Sequence, residues 1–137
     1  MTTEVDLRKY VHFVEGVTSE ESSDTYSLIT RLETLYKASE MDCARILTAG
    51  IGMAGEAGEF AEIIKKIVFQ GKEYDEETIV HLKKELGDVI WYWAQACRAL
   101  NVDPNEIITA NVDKLESRYP GGEFDASRSE EREEGDI

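Results

Sequence analysis

Cations are scarce in this sequence: 15 Lys and Arg stand against 29 Asp and Glu, a formal net charge of −14. So acidic a surface repels phosphate backbones and anionic headgroups, which argues against nucleic-acid polymers and charged membranes as partners. Proline occurs only at positions 104 and 120, so helices can run without interruption before, between and after those points. Two cysteines, Cys43 and Cys97, make no disulfide framework. Cys97 falls in an apolar run, where buried free thiols are common. No stretch approaches the ~20 consecutive apolar residues of a membrane span. Residues 1–6 also lack the basic segment leading into an apolar one that marks a secretory signal. The expectation is an acidic cytoplasmic protein with no membrane partner.

What is present is helical periodicity. A chain of 137 residues fits one domain with a core that needs no metal or disulfide to form. Val5 to Val14 has a moderate helical pattern, and the Thr-Ser-Glu-Glu-Ser-Ser stretch at 18–23 reads as a loop rich in N-caps. The spacing predicts further helices over 24–37, 42–69, 75–100 and 104–118. Gly71 is the expected C-terminal stop of the second of these, and Pro104 takes the first position of the last. Along 75–100 the predicted core stripe is Ile79, Leu82, Leu86, Val89, Trp93 and Leu100. No alternating strand pattern competes. The expected fold is all-α, a bundle of about four to five helices over residues 1–122. Residues 123–137 carry seven acids and two arginines and are expected to form a flexible acidic tail.

Acids three apart share a helix face, but in so acidic a chain that spacing decides nothing by itself. Their surroundings are more informative. From Ile46 to Ala61 every residue is apolar or Gly except Thr48, Glu56 and Glu59, and Glu85 and Asp88 open onto the apolar run Val89–Leu100. Lone carboxylates on such helices are costly to desolvate unless something binds them. Two readings stay open: a solvated edge on each helix, or facing pairs that converge Glu56, Glu59, Glu85 and Asp88 into a hard-oxygen cage suited to Mg²⁺ or Mn²⁺. Gly52, Gly55 and Gly58 each cost about 1 kcal/mol against Ala in a helix interior; close helix packing beside the acids would offset that. Glu62 continues the acid series, but Lys66 lies four residues on, which favours a surface ion pair.

On the last helix Asn111, Lys114 and Arg118 form a polar stripe. It is either a phosphate-binding surface or an ordinary solvated face. Gly50 to Gly55 matches the dinucleotide fingerprint, but no strand precedes it. His12 and His81 make no Glu-x-x-His motif and read as structural or surface residues. Trp91, Tyr92 and Trp93 read as core, with a ring among them available to border a nucleobase pocket.

Glu56-Ala-Gly-Glu59 followed by Glu85-Leu-Gly-Asp88, Ile90-Trp-Tyr and Asn111-x-x-Lys114-Leu-x-x-Arg118-Tyr-Pro resembles the signature of the MazG-like all-α nucleoside triphosphate pyrophosphohydrolases over about residues 45–122. One departure is that Gly55 stands where the family often has its first Glu. The resemblance implies Mg²⁺-dependent cleavage of a (deoxy)nucleoside triphosphate to monophosphate and pyrophosphate by a homodimer or homotetramer, with Mn²⁺ a possible substitute. It implies Glu56, Glu59, Glu85 and Asp88 as metal ligands, Glu59 as the chosen proton acceptor, and Asn111, Lys114 and Arg118 on substrate phosphate. The alternatives are a phosphoribosyl-ATP pyrophosphohydrolase-like enzyme, or a non-catalytic helical interaction module, which Gly55 favours.

Overall fold

The computed structural model describes residues 6–130, and among them there are helices and no strand. In order these are α1 (Leu7–Gly16), α2 (Glu20–Ser23), α3 (Thr25–Ser39), α4 (Cys43–Gln70), α5 (Glu76–Leu100), α6 (Pro104–Arg118) and α7 (Ala126–Glu130). The five longest match the expected helices closely. Two short ones are additions: α2 lies inside the expected loop at 18–23, and α7 inside the expected flexible tail. Residues 131–137 of that tail lie outside the described part.

Aspartate starts most of these helices. Asp6 accepts from the Arg8 amide, Asp24 from Ser27, Asp75 from Thr78, Asp103 from Asn105 and Asp125 from Ser127, at 2.7–3.1 Å. Each satisfies an amide that the helix itself cannot and sets negative charge at the positive end of the helix dipole. Helix-bound amides hold the Asp24 and Asp75 carboxyls below their ordinary range, and the Ser127 hydroxyl, then the Ser127 and Arg128 amides, do the same for Asp125. Part of the acidic surplus is thus structural. Helix α3 ends at Glu40 and α5 at Asn101, both left-handed, and Gly71 follows α4 at φ +69°. Only glycine enters that region freely, so Gly71 lets the chain reverse.

The chain divides into two compact units, with the boundary between Cys43 and Ala44. In the first, Cys43 Sγ lies 3.6 Å from the Leu32 carbonyl. In the second, α4 and α5 form an antiparallel hairpin whose buried residues are Ala49, Ile63, Leu82 and Cys97 with Thr78 and Glu85. Leu82 therefore lies in the core as the stripe predicts, and Ile79, Val89 and Trp93 are half-buried. Leu86 and Leu100 do not follow: they are 54% and 60% exposed. The inward face of α5 instead runs through Thr78, Leu82 and Glu85, successive one-turn steps of 3.6 residues.

Candidate metal and nucleotide site

The acids are assembled by the register of the α4–α5 hairpin. Facing positions are equidistant in sequence from Lys72: Gly52 meets the ring of Tyr92, Glu56 feels Asp88, and Glu59 meets Glu85. A methyl group built on Gly52 would overlap the Tyr92 ring, whereas Gly55 and Gly58 have open space at that position. Close helix approach therefore accounts for Gly52 alone. Tyr92 in turn meets Trp91 edge to face, ring centroids 4.8 Å apart, with Trp91 more than half exposed.

Glu56, Glu59 and Glu85 each contribute a carboxylate oxygen to a group whose atoms all lie within 4.8 Å of one another. Their exposure is graded: Glu85 is buried at 5%, Glu56 is half-buried and Glu59 is exposed. Asp88 is exposed and stands outside this trio, though its charge still reaches Glu56. The Glu56 carboxyl is held above its ordinary range, first by burial, then by the charges of Glu59, Asp88 and Glu85, and last by a hydrogen bond with Glu85. Like charges this close disfavour joint ionisation unless a cation joins them. The donor set is all carboxylate oxygen, which suits hard divalent ions such as Mg²⁺ or Mn²⁺, so the residues present fit such an ion.

Glu62 behaves differently. It pairs with Lys65 and, at 3.5 Å, with Lys66, and these partners, Lys65 foremost, hold its carboxyl below the ordinary range. The expected ion pair forms. His81 is not the isolated residue that its sequence surroundings suggest. Its Nε2 lies 3.0 Å from Oε1 of Glu85, one turn further along α5. The four-residue spacing was visible in the sequence and is the signal that could have found it. His12 lies on α1 in the other unit, exposed beside Glu15 at 3.8 Å.

On α6, Asn111 is exposed while Lys114 and Arg118 are half-buried. Each of the two cations is already engaged by a neighbour. The three share one stripe, as the spacing predicts, on a different helix from the acids.

A family model described as the MazG nucleotide pyrophosphohydrolase domain matches residues 46–122, a span that includes the whole α4–α5 hairpin from Ile46 onward and all of α6. The Gene 37 protein of Mycobacterium phage L5 is 39% identical over 79 residues, which cover 56% of this chain and 68% of that protein. No solved structure gives a significant match.

Proposed function

The chain belongs to the MazG nucleotide pyrophosphohydrolase domain family, and from that membership we propose that it hydrolyses a (deoxy)nucleoside triphosphate to the monophosphate and pyrophosphate with Mg²⁺, Mn²⁺ serving as a substitute. The observation that carries this reading is the convergence of Glu56, Glu59 and Glu85 on one point between α4 and α5.

In this reading Glu56, Glu59, Glu85 and Asp88 hold the cation. When bound, a divalent ion polarises phosphate oxygens and lowers the pKa of water. Glu59 is the most exposed of the converging trio and is assigned the proton of the attacking water, since an acceptor must be within reach of incoming solvent. Glu85 is buried and is assigned to binding alone. Lys114 and Arg118 balance the negative charge of the phosphates, Arg118 through a planar fork and Lys114 as a point charge. Asn111 offers an uncharged contact on the same stripe. Trp91, exposed and braced by Tyr92, is a stacking surface for a base.

Many large apolar side chains stand exposed on the second unit, among them Ile51, Val68, Phe69, Leu86, Ile90 and Trp91. Apolar surface on that scale marks an interaction site, and the proposed occupant is further copies of the chain in a homodimer or homotetramer. No helix among the described residues is long and apolar enough to cross a membrane, and the proposed setting is a cytoplasmic nucleotide pool.

The direct test is incubation with Mg²⁺ and a panel of common (d)NTPs alongside phosphoribosyl-ATP, with product identification. A dNMP and pyrophosphate formed in one step are expected. Inorganic phosphate with dNDP would place the cut elsewhere and overturn the reading, and turnover confined to phosphoribosyl-ATP would redirect it.

A further inference from the structure

Glu85 is 5% exposed on the inward face of α5, and Oε1 lies 3.0 Å from Nε2 of His81. The two atoms make an ion-pair contact, in which an imidazole bearing its hydrogen on Nε2, neutral or charged, is the group able to donate and the carboxylate oxygen the group able to accept. The His81 side chain is 54% exposed against 7% for that of Glu85. Core packing therefore does not hold the imidazole in place, and the contact it makes is directed at one buried acid.

Glu85 has three rotatable side-chain bonds and must present an oxygen to Glu56 and Glu59 across the helix interface. We propose that His81 is a positioning residue: by donating to Oε1 it fixes the Glu85 carboxylate in the orientation from which the remaining lone pairs face the converging oxygens of Glu56 and Glu59. A carboxylate has about four acceptor sites, so one hydrogen bond leaves capacity for the cation. Outer donors of this kind orient metal-binding carboxylates, and their removal typically weakens metal affinity by roughly ten- to a hundred-fold. The inference rests on the assignment of Glu85 as a metal ligand, but not on which nucleotide is cleaved.

His81 also lines a cavity of about 280 Å³ with Lys72, Thr78 and Lys84.

The test compares wild type, His81→Gln, which retains a side-chain N–H donor, and His81→Phe, which retains a ring but no donor. Free Mn²⁺ is counted by electron paramagnetic resonance as metal-free protein is titrated without nucleotide, and helix content is checked by circular dichroism. Tight binding by wild type, retention within a few-fold by His81→Gln and a roughly ten- to hundred-fold loss in His81→Phe would bear the proposal out. Equal affinity in wild type and His81→Phe would overturn it. So would equal losses in both variants, which would point to ring packing instead of donation. If His81→Phe does not fold, His81→Ala is read in its place. Mn²⁺ binding without nucleotide hydrolysis by wild type would defeat the proposed activity and leave His81 to be judged on affinity; no Mn²⁺ binding at all by wild type would defeat both.

Discussion

The ring of Tyr92 occupies the space beside Gly52 that a Cβ atom would fill. Gly52→Ala should gain up to about 1 kcal/mol of helix propensity and lose about 1–3 kcal/mol to overpacking, so the net effect is destabilising. Gly55 and Gly58 have no such neighbour, and alanine there should stabilise by up to ~1 kcal/mol. Three identical substitutions along one helix should thus shift the thermal midpoint down once and up twice. Shortening the ring with Tyr92→Leu should reduce the penalty at Gly52. Matching shifts at all three glycines would refute a specific Gly52–Tyr92 contact.

Divalent metal should stabilise the fold, since a ligand bound by the native state alone adds about 2.7 kcal/mol at a hundred times its dissociation constant. The melting midpoint of metal-free protein should climb with added Mg²⁺. Glu59→Gln should weaken the rise strongly, and Asp88→Asn less, because Asp88 stands outside the converging trio. A flat titration in wild type up to millimolar Mg²⁺ would remove the metal from the reading.

The raised Glu56 carboxyl gives a pH dependence of defined sign. A carboxyl whose folded pKa lies above its unfolded value contributes stability below the unfolded pKa and loses it as pH rises through the folded one. Asp24, Glu62, Asp75 and Asp125, whose carboxyls are lowered, do the reverse: their stabilisation is lost as pH falls. The difference between metal-free wild type and Glu56→Gln isolates the first effect, and it should turn against wild type as pH rises through the ordinary carboxylate range and above it. Added Mg²⁺ should cancel that trend, because cation and proton compete for the same oxygens. A pH-independent difference between the two proteins would show that Glu56 titrates as an ordinary acid.

Arg118 separates phosphate contact from metal binding. Losing a hydrogen bond to a charged group costs about 1.5–3 kcal/mol, so Arg118→Ala should lower kcat/KM by roughly ten- to over a hundred-fold. The Mg²⁺-induced rise in melting midpoint should survive. Lysine at this position should restore only part of the rate, since a point charge cannot reproduce a fork. Unaltered kinetics in Arg118→Ala would return the α6 stripe to an ordinary solvated face.

The long helices were legible because α4 and α5 carry sustained periodicity and end at recognisable residues, Gly71 and Asn101. Which stripe of α5 faces inward was not. Leu86 and Leu100 fit an apolar periodicity as well as Leu82 does, and the choice is made by the partner helix, where Gly52 admits Tyr92 and thereby sets the rotation of α5. That rotation turns Glu85 inward and leaves Leu86 outside. Short helices were missed for a different reason: α2 and α7 hold too few apolar residues to show a period, and Ser19 and Asp125 start them by local geometry. The acids themselves were readable as four positions, but one sequence says nothing of depth, and the graded burial from Glu85 to Glu59 comes from the packing of two helices.

Facing residues on α4 and α5 are matched by equal distances from Lys72, and this makes the two halves of the hairpin unequal partners to change in length. Extra residues within Gly71–Asp75 lengthen a connection at the far end from Gly52 and Tyr92 and leave every facing pair opposed, at the modest entropic cost of a longer loop. One residue added inside α4 between Gly52 and Glu59 turns everything on one side of it by about 100° relative to the other. Such an insertion would carry Glu56 and Glu59 off the face that meets Glu85, or take Gly52 away from Tyr92. Relatives of this chain should therefore vary in length at the turn and hold a fixed count between the glycine and the second acid.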